Sequence, residues 1–339
     1  MSGREAPNAR QALRTPIWFA PMEGLTDAVF RRAHFELFGG AERYYMPFVS
    51  LNQNLSLNGR DKHNVLPEYN RGVPCVPQVL TKEAYQFLWA ADLLRDLGYD
   101  EVNLNAGCPS GTVTAKGKGA GLLRDVDGLD RLLEEICSKS PLPVSVKTRV
   151  GFDSTGEWEK LLHIYARYPL KCVIVHPRSC RDGYAPGTLD FACWQAAAET
   201  LGERAVYNGD LFSVADLERI ASLTNLEGPL MLGRGLVAQP ALAREIAGGE
   251  KLKKEELAGF HRALGEGWRQ LYDENVTFMK LRVVMKHTAL CFENAGKAEK
   301  KIRHAKRPEE LFEAEKMLFD KCELKREPCF IPDELRENL

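Results

Sequence analysis

The 339 residues predict an α/β chain, a (β/α)8 TIM barrel followed by a C-terminal helical bundle domain. Three observations carry that expectation. Short β-branched or aromatic runs recur along the first 235 residues, separated by amphipathic stretches. The runs are nearly continuously apolar without clean alternation, as strands covered on both faces of a parallel sheet are. From Lys253 onward the periodicity turns helical, rich in Lys, Glu, Leu and Ala, and no strand signal remains.

Taken in order, the runs are Ile17–Ala20, Arg43–Met46 and Val73–Leu80. The third is the least regular, because its prolines cannot donate to a ladder. Glu101–Asn105, Val144–Lys147, Cys172–His176, Arg204–Asn208 and Pro229–Gly233 complete the set. Helical patterns at Glu83–Leu97, Leu129–Cys137 and Val214–Leu223 lie between them. An open, doubly wound sheet is the alternative with the same alternation. The expected organisation is a polar N-terminal segment at 1–15, the barrel at 16–248, a helical domain at 250–325 after Gly248-Gly249, and a tail at 326–339.

Charges nearly cancel, with 46 Lys and Arg against 47 Asp and Glu, so overall composition gives no sign of a polyanion partner. Nine cysteines lack Cys-x-x-Cys or zinc-ligand spacing, which reads as reduced thiols and no metal. Arg4, Arg10 and Arg14 stand in a polar leader with no apolar core, and no run approaches a membrane span. A cytoplasmic monomer is expected, with no membrane and no protein partner.

The polar residues that close the apolar runs are the candidates for chemistry. The first run ends in Ala20-Pro21-Met22-Glu23-Gly24 and the third near Gln78. The fourth leads through Asn105 to Cys108, the fifth to Lys147 and Arg149, and the sixth to His176 and Arg178. Asn208-Gly209-Asp210 follows the seventh and Gly233-Arg234-Gly235 the eighth. In a barrel these all reach one face. The set suits flavin mononucleotide (FMN): amides and a cation for the hydrogen-bonding ring edge, glycine backbone and Arg234 for the phosphate. Gly117-Lys-Gly-Ala-Gly121 is not a dinucleotide fingerprint, since position 122 is Leu and no strand directly precedes it. No separate nicotinamide domain is visible, so NADPH or NADH would dock over the flavin itself.

In these stretches the chain resembles the tRNA-dihydrouridine synthases, flavoenzymes that reduce uridine in tRNA. The resemblance rests on Ala20–Asp27, Asn105–Ser110, Val113–Leu123, Val146–Arg149, Val175-His176, Asn208–Asp210 and Gly233–Gly235, in family order. It departs at Pro177-Arg178-Ser179, where a Gly-Arg-Thr-like turn is usual, and at the extra glycines Gly111 and Gly121. The resemblance implies FMN held by Pro21, Met22, Glu23, Gln78, Lys147, Asn208, Gly209, Asp210, Gly233 and Arg234, with Asn105 and His176 near the ring. It implies hydride transfer from reduced flavin to uridine C6 and a proton from Cys108 to C5, with Arg149 and Arg178 on the substrate side. The thiol is expected to have a near-normal pKa, and the flexible loop Ser110–Gly121 to close over the base.

Lys280–Arg307 holds nine Lys or Arg (including Lys280, Arg282, Lys286, Lys300, Lys301 and Arg303) against Glu293 and Glu299. The bland reading is a solvated face; the functional one is a platform for the tRNA backbone. Two rivals stay open: an FMN oxidoreductase acting on a free pyrimidine or enone, and a tRNA-binding relative without catalysis.

Overall fold

The computed structural model describes residues 15–51, 54–223 and 228–326. Among the described residues nine parallel strands form one sheet: β1 (Ile17–Phe19), β2 (Arg43–Tyr45), β3 (Cys75–Val76), β4 (Gln78–Val79), β5 (Val102–Ala106), β6 (Val144–Gly151), β7 (Val173–Ser179), β8 (Ala205–Tyr207) and β9 (Leu230–Leu232). Their order, β3-β2-β1-β9-β8-β7-β6-β5-β4, has consecutive strands at its two ends, so the sheet curls into a barrel. The expected third strand is thus two strands broken at Pro77, which has no N–H to give. Closure happens across that break. Pro77 accepts from the Asn103 N–H at 2.9 Å, and Val49 bridges to Val79 by donating to the Gln78 carbonyl at 2.8 Å. Trp18, Tyr45, Val76, Ile174 and Met231 fill part of the interior. Buried Glu101, just ahead of β5, is neutralised by Arg43 and Lys171 and accepts from Tyr45 and Ser145.

Helices surround the strands: α1 (Ala28–Leu37), α2 (Gly59–Val65), α3 (Ala84–Asp96), the short α4 (Gly111–Thr114), α5 (Val126–Lys139), α6 (Trp158–Arg167), α7 (Phe191–Leu201) and α8 (Val214–Leu223). Asp27 caps α1 by accepting from the Phe30 N–H, and Asp125 caps α5 in the same way from Gly128. The Ser110–Gly121 stretch, expected as a flexible loop, is folded: α4 runs into a 3₁₀ turn at Gly119–Arg124. Gly119 makes the return possible with φ +58°, and Ala120 donates to the Cys108 carbonyl at 3.0 Å.

After β9 the chain is helical: α9 (Arg234–Ala238), α10 (Leu242–Ile246), α11 (Lys254–Leu271), α12 (Glu274–Thr288), α13 (Gly296–His304) and α14 (Pro308–Lys321). α11 packs on α1 through Phe260 against Phe30 and Phe38, edge to face. At its end Trp268 Nε1 donates to the Asp27 carboxylate, which also receives Lys280 Nζ from α12 at 2.9 Å. The helical part is therefore fastened to the loop between β1 and α1, beside Pro21–Glu23. Among the described residues, no helix is long and apolar enough to cross a membrane. Residues 1–14 of the N-terminal segment and 327–339 of the tail lie outside the described residues.

Candidate active site

The C-terminal ends of the strands surround a cavity of about 490 Å³, within the usual range for a small-molecule site. Pro21, Met22 and Glu23 enter from the β1 side, Gln78 from β4, and Asn105 and Cys108 from β5. Lys147 and Arg149 on β6, His176 on β7, Asn208–Asp210 after β8 and Gly233–Gly235 after β9 complete the ring. Every residue expected to hold a cofactor lines this one cavity, and Cys108 and Lys147 open into it together.

Asn105 sets the position of the thiol. Its Oδ1 accepts from the N–H groups of Gly107 at 3.1 Å and Cys108 at 2.9 Å, which locks the Gly-Cys-Pro turn. Its Nδ2 donates to Gln78 Oε1, Gln78 to Asn103, Asn103 to Ser145, and Ser145 to Glu101. A chain of amides thus ties the cavity floor to the paired carboxylate inside the barrel. Much of the hydrogen-bonding capacity that made Asn105 look available to a heterocycle is spent internally; one N–H of each NH₂ group remains. Burial pushes the Cys108 thiol above its ordinary value, against the pull of Arg149 and Lys147 and in place of the near-normal acidity expected. The group is a protonated thiol at neutral pH.

Two cavity side chains each present an unpaired nitrogen, His176 Nε2 and Lys147 Nζ. His176 Nδ1 lies 2.6 Å from the Asn208 carbonyl, which can only accept, so Nδ1 carries the proton and Nε2 is a bare acceptor. That Nε2 is buried without a partner, and burial beside Arg149, Lys147 and Arg178 holds the imidazole neutral, well below its ordinary pKa. Lys147, half-buried, has its pKa lowered to about 7 by burial and then by Arg149.

The Asp210 carboxylate is committed to arginines. Arg178, wholly buried, grips it with two bonds of 3.1 and 2.6 Å, and Arg234 takes Oδ1 at 2.6 Å. Asp210 is therefore a mount for Arg234 rather than a direct anion ligand. Arg178 is a strut beneath Asp210 and does not line the cavity, contrary to its expected place on the substrate side. Arg149 does line it, held by the Gly107 and Ser179 carbonyls. The backbone runs close here: a Cβ on Gly209 would fall 2.0 Å from Tyr207 Oη, and one on Gly235 2.2 Å from the Leu211 carbonyl.

Tyr184 escaped the sequence reading. It is 55% exposed on the loop between β7 and α7, and its ring lies 5.8 Å from that of His176, with the Arg149 and Arg234 guanidinium carbons 5.0 and 5.2 Å from its centroid. An aromatic between Gly183 and Gly187 in a polar loop was the available signal. Glu23 meets Arg60 at the rim, and burial raises its pKa.

Among the described residues, none of the cations of Lys280–Arg307 lines the cavity. Lys280 is held by Asp27 and the Gly24 carbonyl, and Arg282 donates to the Ala305 carbonyl. Lys286, Lys300, Lys301 and Arg303 are exposed. Among the described residues no cluster of three His, Cys, Asp or Glu could hold a metal ion.

The family model described as dihydrouridine synthase (Dus) matches residues 18–324. A probable tRNA-dihydrouridine synthase of Rhodobacter capsulatus is 30% identical over 240 residues, 69% of this chain and 72% of that protein. The tRNA-dihydrouridine(16) synthase of Aquipseudomonas alcaligenes is 30% identical over 268 residues, covering 75% and 83%. Among solved structures, morphinone reductase aligns with 70% of this chain and 87% of its own at a TM-score of 0.49 and 12% identity, too distant to add weight. With the model spanning barrel and helices alike, this chain belongs to the dihydrouridine synthase family.

Proposed function

We propose that this chain is an FMN-dependent tRNA-dihydrouridine synthase that reduces the C5=C6 bond of uridine in tRNA, using NADPH or NADH as reductant. The observation that carries the reading is the shared cavity of Cys108 and Lys147, in a chain whose relatives are named for this reaction. The residues present fit the flavin. His176 Nε2 is a buried acceptor awaiting a ring N–H, and Lys147 is a cation that an electron-rich ring edge would recharge. Arg234 and the tight backbone at Gly209 and Gly235 would hold the phosphate.

A reduced flavin held by these residues would supply a hydride for the electron-poor C6 of uracil. The rest falls to the protein. Cys108 donates its proton to C5 as enolate character builds on the uracil, leaving a thiolate to be reprotonated from solvent. Burial opposes that thiolate while Arg149 and Lys147 favour it, so the proton is kept until a base is ready to take it. Asn105 holds the turn carrying the thiol, and Tyr184 offers an aromatic face above Arg149. A uridine within folded tRNA has to be extruded to reach this depth. Lys300, Lys301 and Arg303 would grip the phosphate backbone meanwhile.

The test is a single anaerobic turnover. Protein with FMN reduced by NADPH is mixed with unmodified tRNA, and dihydrouridine per tRNA is counted. The wild type is expected to form it, and Cys108→Ala to retain flavin while losing about 10²–10⁴-fold in rate. No product from the wild type, or an undiminished rate in the variant, sinks the reading.

A further inference from the structure

A second cavity, of about 390 Å³, lies in the helical part between α11, α12 and α14, and no step above uses it. We propose that it is a second RNA site, which takes one unpaired nucleobase of the substrate tRNA between aromatic side chains. The inference rests on the tRNA reading above and extends it to a pocket with no part in the chemistry.

The walls have the composition such a guest requires. Phe278, Phe312 and Phe319 line the cavity, and Phe312, at 67%, is the most exposed large hydrophobic side chain among the described residues. Base stacking on aromatics is how unpaired RNA is commonly held. The interior is not wholly apolar. Thr277 lines it, is 2% exposed, and its Oγ1 is buried with no hydrogen-bond partner. An unsatisfied hydroxyl in a seam between helices is costly, and the edge of a base offers both donors and acceptors. Neighbouring His261 is no candidate, since its two ring nitrogens already meet Glu315 and Thr288.

The charges around the cavity favour a guest that is anionic on its outside. Arg262, Arg269 and Lys316 are exposed at the cavity, while of the two acids there Glu315 is engaged by His261. The cavity also adjoins the basic run. Arg282 lies 5.4 Å from the Phe278 ring and donates to the Ala305 carbonyl, just past the end of α13. Arg282 thus joins the pocket wall to the C-terminal end of α13, the helix on which Lys300, Lys301 and Arg303 stand exposed.

The test places a photoreactive benzophenone amino acid at position 312 and irradiates the full-length protein with unmodified tRNA. Crosslinking to one unpaired nucleotide is expected. Crosslinks scattered over paired nucleotides, within the chain, or to a second copy would overturn the proposal and make the groove a protein-docking surface or an idle seam. Phe312→Ala should weaken tRNA binding about tenfold, the loss of one stacked base, without altering the salt dependence. Raised KM with kcat kept within twofold is the matching kinetic result, and unchanged binding counts against the site. The two readings fail separately: a wild type that binds tRNA through position 312 but forms no dihydrouridine removes the activity and spares the site.

Discussion

An ammonium that sheds water without gaining an anion holds its proton weakly, and burial followed by the Arg149 charge puts Lys147 in that state. Its pKa of about 7 in the fold lies below the roughly 10.4 of an unfolded lysine. Between those values the unfolded chain binds the extra proton, so this group makes stability rise with pH across that window. Below pH 7 both states are protonated, and the fold carries the full cost of a poorly hydrated charge. Lys147→Met keeps the apolar stem and removes the charge. Its Tm minus that of the wild type, measured without cofactor, should be largest near pH 6 and shrink toward pH 10. A difference that stays flat would mean the ammonium is well solvated. The same arrangement would give the proposed flavin a role at the residue scale, because an anionic ring edge would restore the proton that burial loosens.

The turn between β5 and α5 shows how an element delivers one atom. Cys108 is fixed from in front by Asn105 and from behind by the returning chain at Gly119 and Ala120. A Cβ at Gly119 would sit 2.9 Å from the Cys108 carbonyl and from Val113 Cγ1, at a φ of +58° that L residues avoid. Gly119→Ala should therefore cost about 1–3 kcal/mol and slow the reaction further by displacing the thiol. Gly111→Ala in the same segment meets nothing within 4 Å and should leave thermal stability unchanged. Equal melting temperatures for the two variants would refute this account of the turn. The residues at the strand ends were legible because a polar side chain closing a buried apolar run has few places to go except the barrel mouth. Pro77 was legible as an irregularity, though not as the point where the sheet closes. The 3₁₀ turn was hidden because its glycines read equally well as a flexible loop. Arg178 was misplaced for a related reason: sequence shows that a cation follows β7, but not that Asp210 captures it.

At the scale of the whole molecule, the proposed grip on tRNA depends on how charge is distributed along the chain. The net charge of −1 conceals a basic surface, since only the order of residues separates Lys280–Arg307 from the acidic stretches elsewhere. Yet the cations of that run are not equivalent. Lys280 lies over Trp268 and Tyr272 and is tied to Asp27, so it joins helices to barrel and has little left for a phosphate. Lys300, Lys301 and Arg303 stand exposed on α13. Each phosphate neutralised contributes a slope of about 0.7–0.9 to the fall of log K with log salt. Replacing those three by Glu should thus weaken tRNA binding and reduce the slope by about 2–3. Lys280→Met should lower Tm through the loss of its bond to Asp27 while leaving the salt slope at the wild-type value. Titrations of all three proteins across a range of salt concentrations decide the matter. If Lys280→Met flattens the slope and the α13 variant does not, the phosphate track runs along the junction of barrel and helices instead of α13.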